Sequence, residues 1–283
     1  MRRRVLVTGA SGQLAGAIAA VFGRDSEVTA LTRAALDITD DRAVNDAVAA
    51  HRPDVVVNCA AYNDVDGAEA EPVKALEVNA FAVRGLARAT AAAGAMLVHY
   101  SSDFVFDGTA SRPYVEDDRP NPQGVYAASK LLGEWFALEA GKAVVLRVES
   151  LFGAPAGWAG RKGSLGSLVA GIEAGHEVPV FVDRTVSPSY VFDVAEATRT
   201  LIASGSASSV YHCVNAGPCS WHDIATEVAR LLGRPANLRP ITLETVSLRA
   251  RRPKYSALGS ARLPAAGVTM PTWQDALARY LRR

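Results

Sequence analysis

The feature that most constrains this chain is its opening, a short apolar strand that runs through a glycine turn into a helix. The residues are Val5-Leu-Val-Thr-Gly9-Ala-Ser-Gly12-Gln-Leu-Ala15. Gly9 can take backbone angles that a side chain forbids, and Gly12 lets the backbone approach a ligand closely. A helix that begins near Gly12 points its positive end at that ligand, which suits a pyrophosphate. The third small position is Ala15, with Gly16 beside it, and alanine still permits close helix–strand packing. Ser11, Gln13 and Leu14 complete the turn that would hold a dinucleotide.

The first half continues in the same rhythm. Strands are expected at 5–7, 28–31, 55–57, 96–100 and 143–147, and helices at 13–22, 40–51, 75–93 and 126–139. Such alternation implies parallel pairing with helices on both faces of the sheet. Right-handed crossovers then give a doubly wound, Rossmann-like α/β fold, with ligands at the carboxyl ends of the strands. After Arg147 the texture changes. A Gly-rich loop is expected at 153–166, helices at 168–174, 193–203, 220–232 and 273–281, and strands at 178–181 and 210–214. The organisation expected is a dinucleotide-binding domain over 1–150 and a smaller, mainly substrate-binding lobe over 151–283. Residues 185–216 are expected to return to the first domain.

A chain of 283 residues with 49% hydrophobic residues can bury a sizeable core. Its net charge of +1 favours neither nucleic acid nor a membrane surface as a partner. Arg2-Arg3-Arg4 reads as a solvated strand entry. Cys59, Cys213 and Cys219 have neither CxxC nor zinc spacing, which fits free thiols in a reducing compartment. No apolar run approaches the roughly 20 residues of a membrane span, and no signal-peptide pattern precedes the first strand. A cytoplasmic location is expected.

Tyr126 and Lys130, in Val125-Tyr-Ala-Ala-Ser-Lys130, share one helix face because residues at i and i+4 are neighbours. An ammonium beside a phenol is expected to lower the phenol's pKa. Such a phenol suits carbonyl–alcohol interconversion. Ser102, at the expected carboxyl end of the fourth strand, can hydrogen-bond a substrate oxygen; by itself it reads as a turn serine. His99 reads as a strand residue without catalytic duty.

Cofactor choice is expected to lie at the end of the second strand. NAD is marked there by a carboxylate, but this chain has Thr32-Arg33. A guanidinium can pair with a 2′-phosphate, so NADPH is expected, with NADH binding more weakly. The plain alternative for Arg33 is a solvated surface residue. Asp37 and Ile38 would serve the adenine side, or Asp37 would cap the following helix. Ala60, Ala61 and Tyr62 follow the third strand, where small residues let a cofactor pass or simply pack tightly. The polar stretch 63–66 reads as a helix cap.

Four segments carry a family resemblance: Thr8-Gly-Ala-Ser-Gly-Gln-Leu14, Asn58-Cys-Ala-Ala-Tyr62, Ser101-Ser-Asp-Phe-Val-Phe-Asp-Gly108 and Tyr126-Ala-Ala-Ser-Lys130. They resemble the extended short-chain dehydrogenase/reductases and, among these, the dTDP-4-dehydrorhamnose reductase family. Asp183-Arg-Thr-Val-Ser-Pro-Ser-Tyr190 and Arg252-Pro-Lys-Tyr-Ser256 resemble motifs of its C-terminal half, so the similarity spans nearly the whole chain. The resemblance implies Ser102, Tyr126 and Lys130 as the catalytic set, with Asn79 holding a water beside the cofactor. It implies NADPH-dependent reduction of a 4-keto nucleotide-sugar, in deoxysugar biosynthesis, by a monomer or homodimer.

Two departures stand out. Leu151 occupies the place where many members carry a sugar-lining Trp, and Phe104 stands where Tyr is commoner. No carboxylate cluster supports the metal described in some members. Substrate contacts are expected from Val65, Phe104 and Leu151, and from Arg161 and Arg252 toward a diphosphate; Lys162 and Arg251 are further candidates. The alternative for these cations is solvated loop charge. Among rival functions, a sugar-nucleotide dehydratase would place an acid pair after the Ser/Thr, whereas Phe104 follows Asp103. An epimerase would retain NAD, which Arg33 disfavours. A non-catalytic NADP-binding regulatory subunit, like that of methionine adenosyltransferase, shares the fold and would lack turnover.

Overall fold

The computed structural model describes residues 2–155, 163–205 and 208–282. The chain begins with β1 (Arg4–Thr8), α1 (Gln13–Phe22), β2 (Glu27–Leu31), α2 (Asp41–His51) and β3 (Val55–Asn58). Next come α3 (Val65–Ala70), α4 (Pro72–Leu76), a π-helical turn (Glu77–Phe81) and α5 (Ala82–Ala92). The units β4 (Met96–Ser102), α6 (Val125–Leu138) and β5 (Ala143–Val148) follow.

The C-terminal half holds β6 (Leu151–Phe152), α7 (Gly163–Glu173), β7 (Val178–Phe181), β8 (Thr185–Val186), β9 (Ser189–Tyr190) and α8 (Val191–Ala203). It ends with β10 (Ser209–His212), β11 (Cys219–Ser220), α9 (Trp221–Leu232), β12 (Leu238–Ile241) and α10 (Trp273–Leu281).

Six strands form one parallel sheet in the order β10-β5-β4-β3-β1-β2. The order reverses between β1 and β3, and a crevice at such a switch point is where this architecture binds ligands. Helices α1 and α8 pack together on one face over Val7, Val57, Val98 and Leu146. Helices α2, α5 and α6 cover the other face over Leu6, Val56, Leu97 and Val145. Alternation along each strand therefore feeds two cores, and the strands read as continuous Val/Leu runs for that reason. A third cluster, from α7, β7, α9 and α10, forms the smaller lobe around Ile172, Ile224, Trp221 and Trp273. The return segment places α8 against α1 and β10 beside β5. Among the described residues, no helix is long and apolar enough to cross a membrane.

Three expectations are corrected. The helix expected at 75–93 starts at Pro72 and is interrupted by the π-turn. There Asn79 Oδ1 accepts from the Tyr62 backbone N–H at 2.8 Å, and Asn79 Nδ2 donates to Ser129 Oγ at 3.0 Å. The loop expected through 166 gives way to helix at Gly163, because burial of Leu165, Leu168, Val169 and Ile172 outweighs the cost of the glycines. Helix α2 is capped by Asp40, which accepts from Arg42 and Ala43, and not by Asp37. Asp64 caps α3, as the polar stretch 63–66 suggested.

Candidate active site

The glycine turn lies at the switch point. Gly9 has φ +68°, and a side chain there would stand 2.6 Å from the Ala60 backbone nitrogen, so the turn sits directly on the end of β3. Gly12 is the N-cap of α1 and supplies no side-chain cap. A Cβ on Gly12 would meet only the Gly9 carbonyl. An uncapped helix N-terminus with open space before it fits a pyrophosphate. Ser11 is exposed at the turn, and Gln13 Nε2 donates to the Leu151 carbonyl at 3.0 Å. Leu14 has its side chain in the core beside Ile18, so only its backbone can face a cofactor.

The same holds for Ile38, which is buried against α2 and α5. Arg33 lies just past β2 with a side chain 78% exposed, and its one close partner among the described residues is Asp37 at 3.4 Å. Asp37 makes a local turn to the Thr39 amide and hydroxyl, and these bonds together with Arg33 hold its carboxyl below the usual range. Ala60 donates its N–H to Asn58 Oδ1 at 3.1 Å, and Ala61 is half-buried behind it. Tyr62 donates its phenol to Glu71 at 3.1 Å under the Lys74 ammonium.

The chemistry-bearing residues meet at the carboxyl end of β4. Tyr126 is the second residue of α6 and is buried, with its ring edge-on to Phe104 at 5.6 Å between centroids. Val65, from α3, packs into the same cluster. The start of α6 is fixed from α3: the Val125 N–H donates to Glu69 Oε1 at 2.7 Å. Ser102 Oγ accepts from the Phe104 N–H at 3.2 Å and lies 2.9 Å from Asp103 Oδ1.

The expected lowering of the phenol's pKa by Lys130 is overturned. Burial first and the Asp103 carboxyl second raise Tyr126 to about 12, against the opposing hydrogen bond with Ser102. Lys130 Nζ donates to the Tyr100 carbonyl at 2.6 Å. Burial lowers its own pKa to about 8.

On the substrate side, Arg252 is largely buried in a two-pronged pair with Asp66 of α3, at 2.8 and 3.2 Å. Its guanidinium lies 5.8 Å from the Phe104 ring centre. Arg251 is exposed and reaches Gln123 at 3.2 Å. Leu151 is half-buried against the main core, where its carbonyl meets Gln13 rather than the Tyr126 cluster. Arg161 and Lys162 lie outside the described residues. The small cavity beside Tyr126 is lined by Val65, Phe104, Gln123, Arg251 and Pro253.

Sequence reasoning missed a buried charge cluster behind Ser102. It contains Asp103, Glu149, Arg184 and Ser256. The available signal was a carboxylate directly after the fully buried β5.

The sequence matches the family described as RmlD substrate binding domain over residues 3–283. It is 40% identical to the dTDP-4-dehydrorhamnose reductase of Streptomyces griseus over 98% of this chain and 92% of that one. Among solved structures, dTDP-4-dehydrorhamnose reductase from Bacillus anthracis in complex with NADP superposes with a TM-score of 0.94. It has 32% identity and covers 100% of this chain and 99% of the other. The Clostridium acetobutylicum counterpart gives a TM-score of 0.93 at 33% identity, covering 99% and 98%.

Proposed function

The chain belongs to the RmlD substrate binding domain family, and we propose that it is an NADPH-dependent reductase of a 4-keto nucleotide-sugar in deoxysugar biosynthesis, of the dTDP-4-dehydrorhamnose reductase kind. The observation that carries this reading is the meeting of Tyr126 and Ser102 at the carboxyl end of β4, beside a glycine turn open to a pyrophosphate. NADPH, when bound, supplies the hydride. The uncapped start of α1 holds its pyrophosphate and Arg33 reads its 2′-phosphate.

Tyr126 gives its phenolic proton to the ketone oxygen. A raised pKa suits this direction, since reduction needs the phenol protonated at the start. Ser102 orients the same oxygen through its hydroxyl. Lys130 sits one helical turn on in α6 and would hold the ribose of the bound cofactor. Phe104 and Val65 supply apolar walls that exclude water around the phenol. The Arg252–Asp66 pair ties the C-terminal loop over this wall and offers a guanidinium to the substrate's diphosphate.

The test is NADPH oxidation followed against a panel of nucleotide-linked 4-ketosugars, dTDP-4-dehydrorhamnose first. Turnover with a dTDP-linked ketosugar and none without it is the expected result. A protein that binds NADPH and oxidises it with no member of the panel would instead favour a non-catalytic role.

A further inference from the structure

Strands β4 and β5 are in register with Ser102 opposite Val148, so the next residues, Asp103 and Glu149, leave the sheet side by side. Both carboxyls are almost wholly buried. Glu149 is well satisfied as an anion: Oε2 accepts the Ser187 N–H at 2.6 Å and Oε1 accepts the Ser256 hydroxyl at 2.6 Å. Asp103 is not. Its Oδ1 meets Ser102 Oγ at 2.9 Å, and its Oδ2 is buried without a hydrogen-bond partner among the described residues. A bare carboxylate oxygen in that position is costly, whereas the carbonyl oxygen of a neutral acid is less so.

We propose that Asp103 and Glu149 share a single proton, carried on Asp103, and that neutral Asp103 donates to Ser102 Oγ, so that the Ser102 hydrogen is aimed into the active site. Asp103 and Glu149 are then positioning residues that act through Ser102. The inference rests on the reductase reading for what Ser102 does, but not for where the proton sits.

The direction of one hydrogen bond decides the matter. With Asp103 ionised, the only hydrogen on Ser102 Oγ points back at the carboxylate, and the Phe104 N–H fills the opposite side. Ser102 then has no hydrogen left for a ketone oxygen. With Asp103 protonated, the same 2.9 Å contact reverses and the Ser102 hydrogen is released outward. Ketone orientation therefore needs the neutral acid.

The surroundings favour it. Two buried carboxyls cannot both ionise cheaply, and the Arg184 guanidinium acts on both. Burial raises both carboxyls above the usual carboxylate range, so the pair retains a proton, and the hydrogen bonds that Glu149 accepts from Ser187 and Ser256 place that proton on Asp103. The other charged or titratable groups facing the cluster are Tyr126 from α6, Arg252 and Tyr255 from the C-terminal loop, Asp183 beside Arg184, and Cys219. Ser256 gives its hydroxyl hydrogen to Glu149.

Two measurements test the proposal. The first is the carboxylic-acid C=O stretch in the infrared spectrum of the wild-type protein, titrated with pH and compared with Asp103→Asn and Glu149→Gln. A buried acid band that survives above pH about 6 and is lost in Asp103→Asn is expected. The second is the pH profile of kcat with NADPH and a turned-over ketosugar. Wild-type kcat should fall as pH rises and the shared proton is lost.

Glu149→Gln removes the anion that keeps Asp103 neutral. It should shift that fall to lower pH and reduce kcat on the alkaline side by about tenfold, the worth of one oriented hydrogen bond, with KM little changed. Asp103→Asn, whose amide still donates to Ser102, should abolish the pH-dependent limb. The proposal is overturned if wild type shows no buried acid band, or if Glu149→Gln leaves the limb in place. Absence of turnover on every ketosugar would sink the reductase reading and leave the infrared result standing.

Discussion

Replacing Tyr126 by Phe keeps the ring that packs edge-on against Phe104 and removes only the hydroxyl. Turnover on a ketosugar should fall by about 10²–10⁴, the usual worth of general acid catalysis. NADPH affinity measured by calorimetry should hold. Arg33→Ala is a test of a different kind, because the side chain is exposed and only weakly held by Asp37. It should weaken NADPH by roughly 1.5–3 kcal/mol, the range for a hydrogen bond to a charged group, toward the low end because solvent screens the site. NADH should be nearly unaffected, and calorimetric titration of both cofactors decides it.

Much of the site is readable in the sequence at this scale, because Tyr126 and Lys130 are joined by helical spacing and the glycines by one turn. The pairing of Asp103 with Glu149 is not, since it depends on strand register between segments far apart in the chain. Nor does spacing reveal that Lys130 turns to a backbone carbonyl while burial governs the phenol.

At the scale of elements, the π-turn at Glu77–Phe81 and α6 define each other. A side chain at Gly133 would drive into the Asn79 carbonyl oxygen, so the two helices meet where no Cβ fits. Gly133→Ala should therefore destabilise the fold by about 1–3 kcal/mol, as overpacking does, despite alanine's better helix propensity. Urea unfolding measures it. The variant should also lower kcat, because α6 carries Tyr126 and Lys130.

The long strands and helices of the first half are legible because each carries its own apolar period. The two-residue strands β6, β8, β9 and β11 are not, since partners distant in sequence create them. The π-turn has no sequence period of its own. It exists because Asn79 is drawn in to Tyr62 and Ser129.

At the scale of the whole molecule, the C-terminal loops are pinned to the main sheet through His212, at the end of β10. Its Nδ1 lies 3.0 Å from both the Tyr114 and Gly259 carbonyls, so the network assigns the proton to Nδ1. Nε2 then faces the Arg147 guanidinium at 3.3 Å, and Arg147 is itself locked to Glu134 at 2.7 and 2.8 Å. A second proton on His212 would have to be buried and would point at a cation. Burial first, and Arg147 second, push its pKa down to about 4.

The unfolded chain titrates at the ordinary value of 6.5 and so binds more protons than the folded one between 6.5 and about 4. Stability should accordingly be fully present above 6.5 and decline as pH falls through that window, by at most about 1.4 kcal/mol per unit. Glu116 adds in the same direction. Its carboxyl accepts the His212 and Ala261 amides and is held below its usual range, so its contribution is present above its unfolded pKa and is lost as pH falls through the folded one. The check is urea unfolding at a series of pH values for wild type and His212→Gln. Glutamine can still donate one hydrogen bond to the paired carbonyls but does not titrate. The variant should be less stable at neutrality, yet its stability should change much less between pH 6.5 and 4. A parallel decline in both proteins would place the acid sensitivity elsewhere, with Glu116 the first alternative.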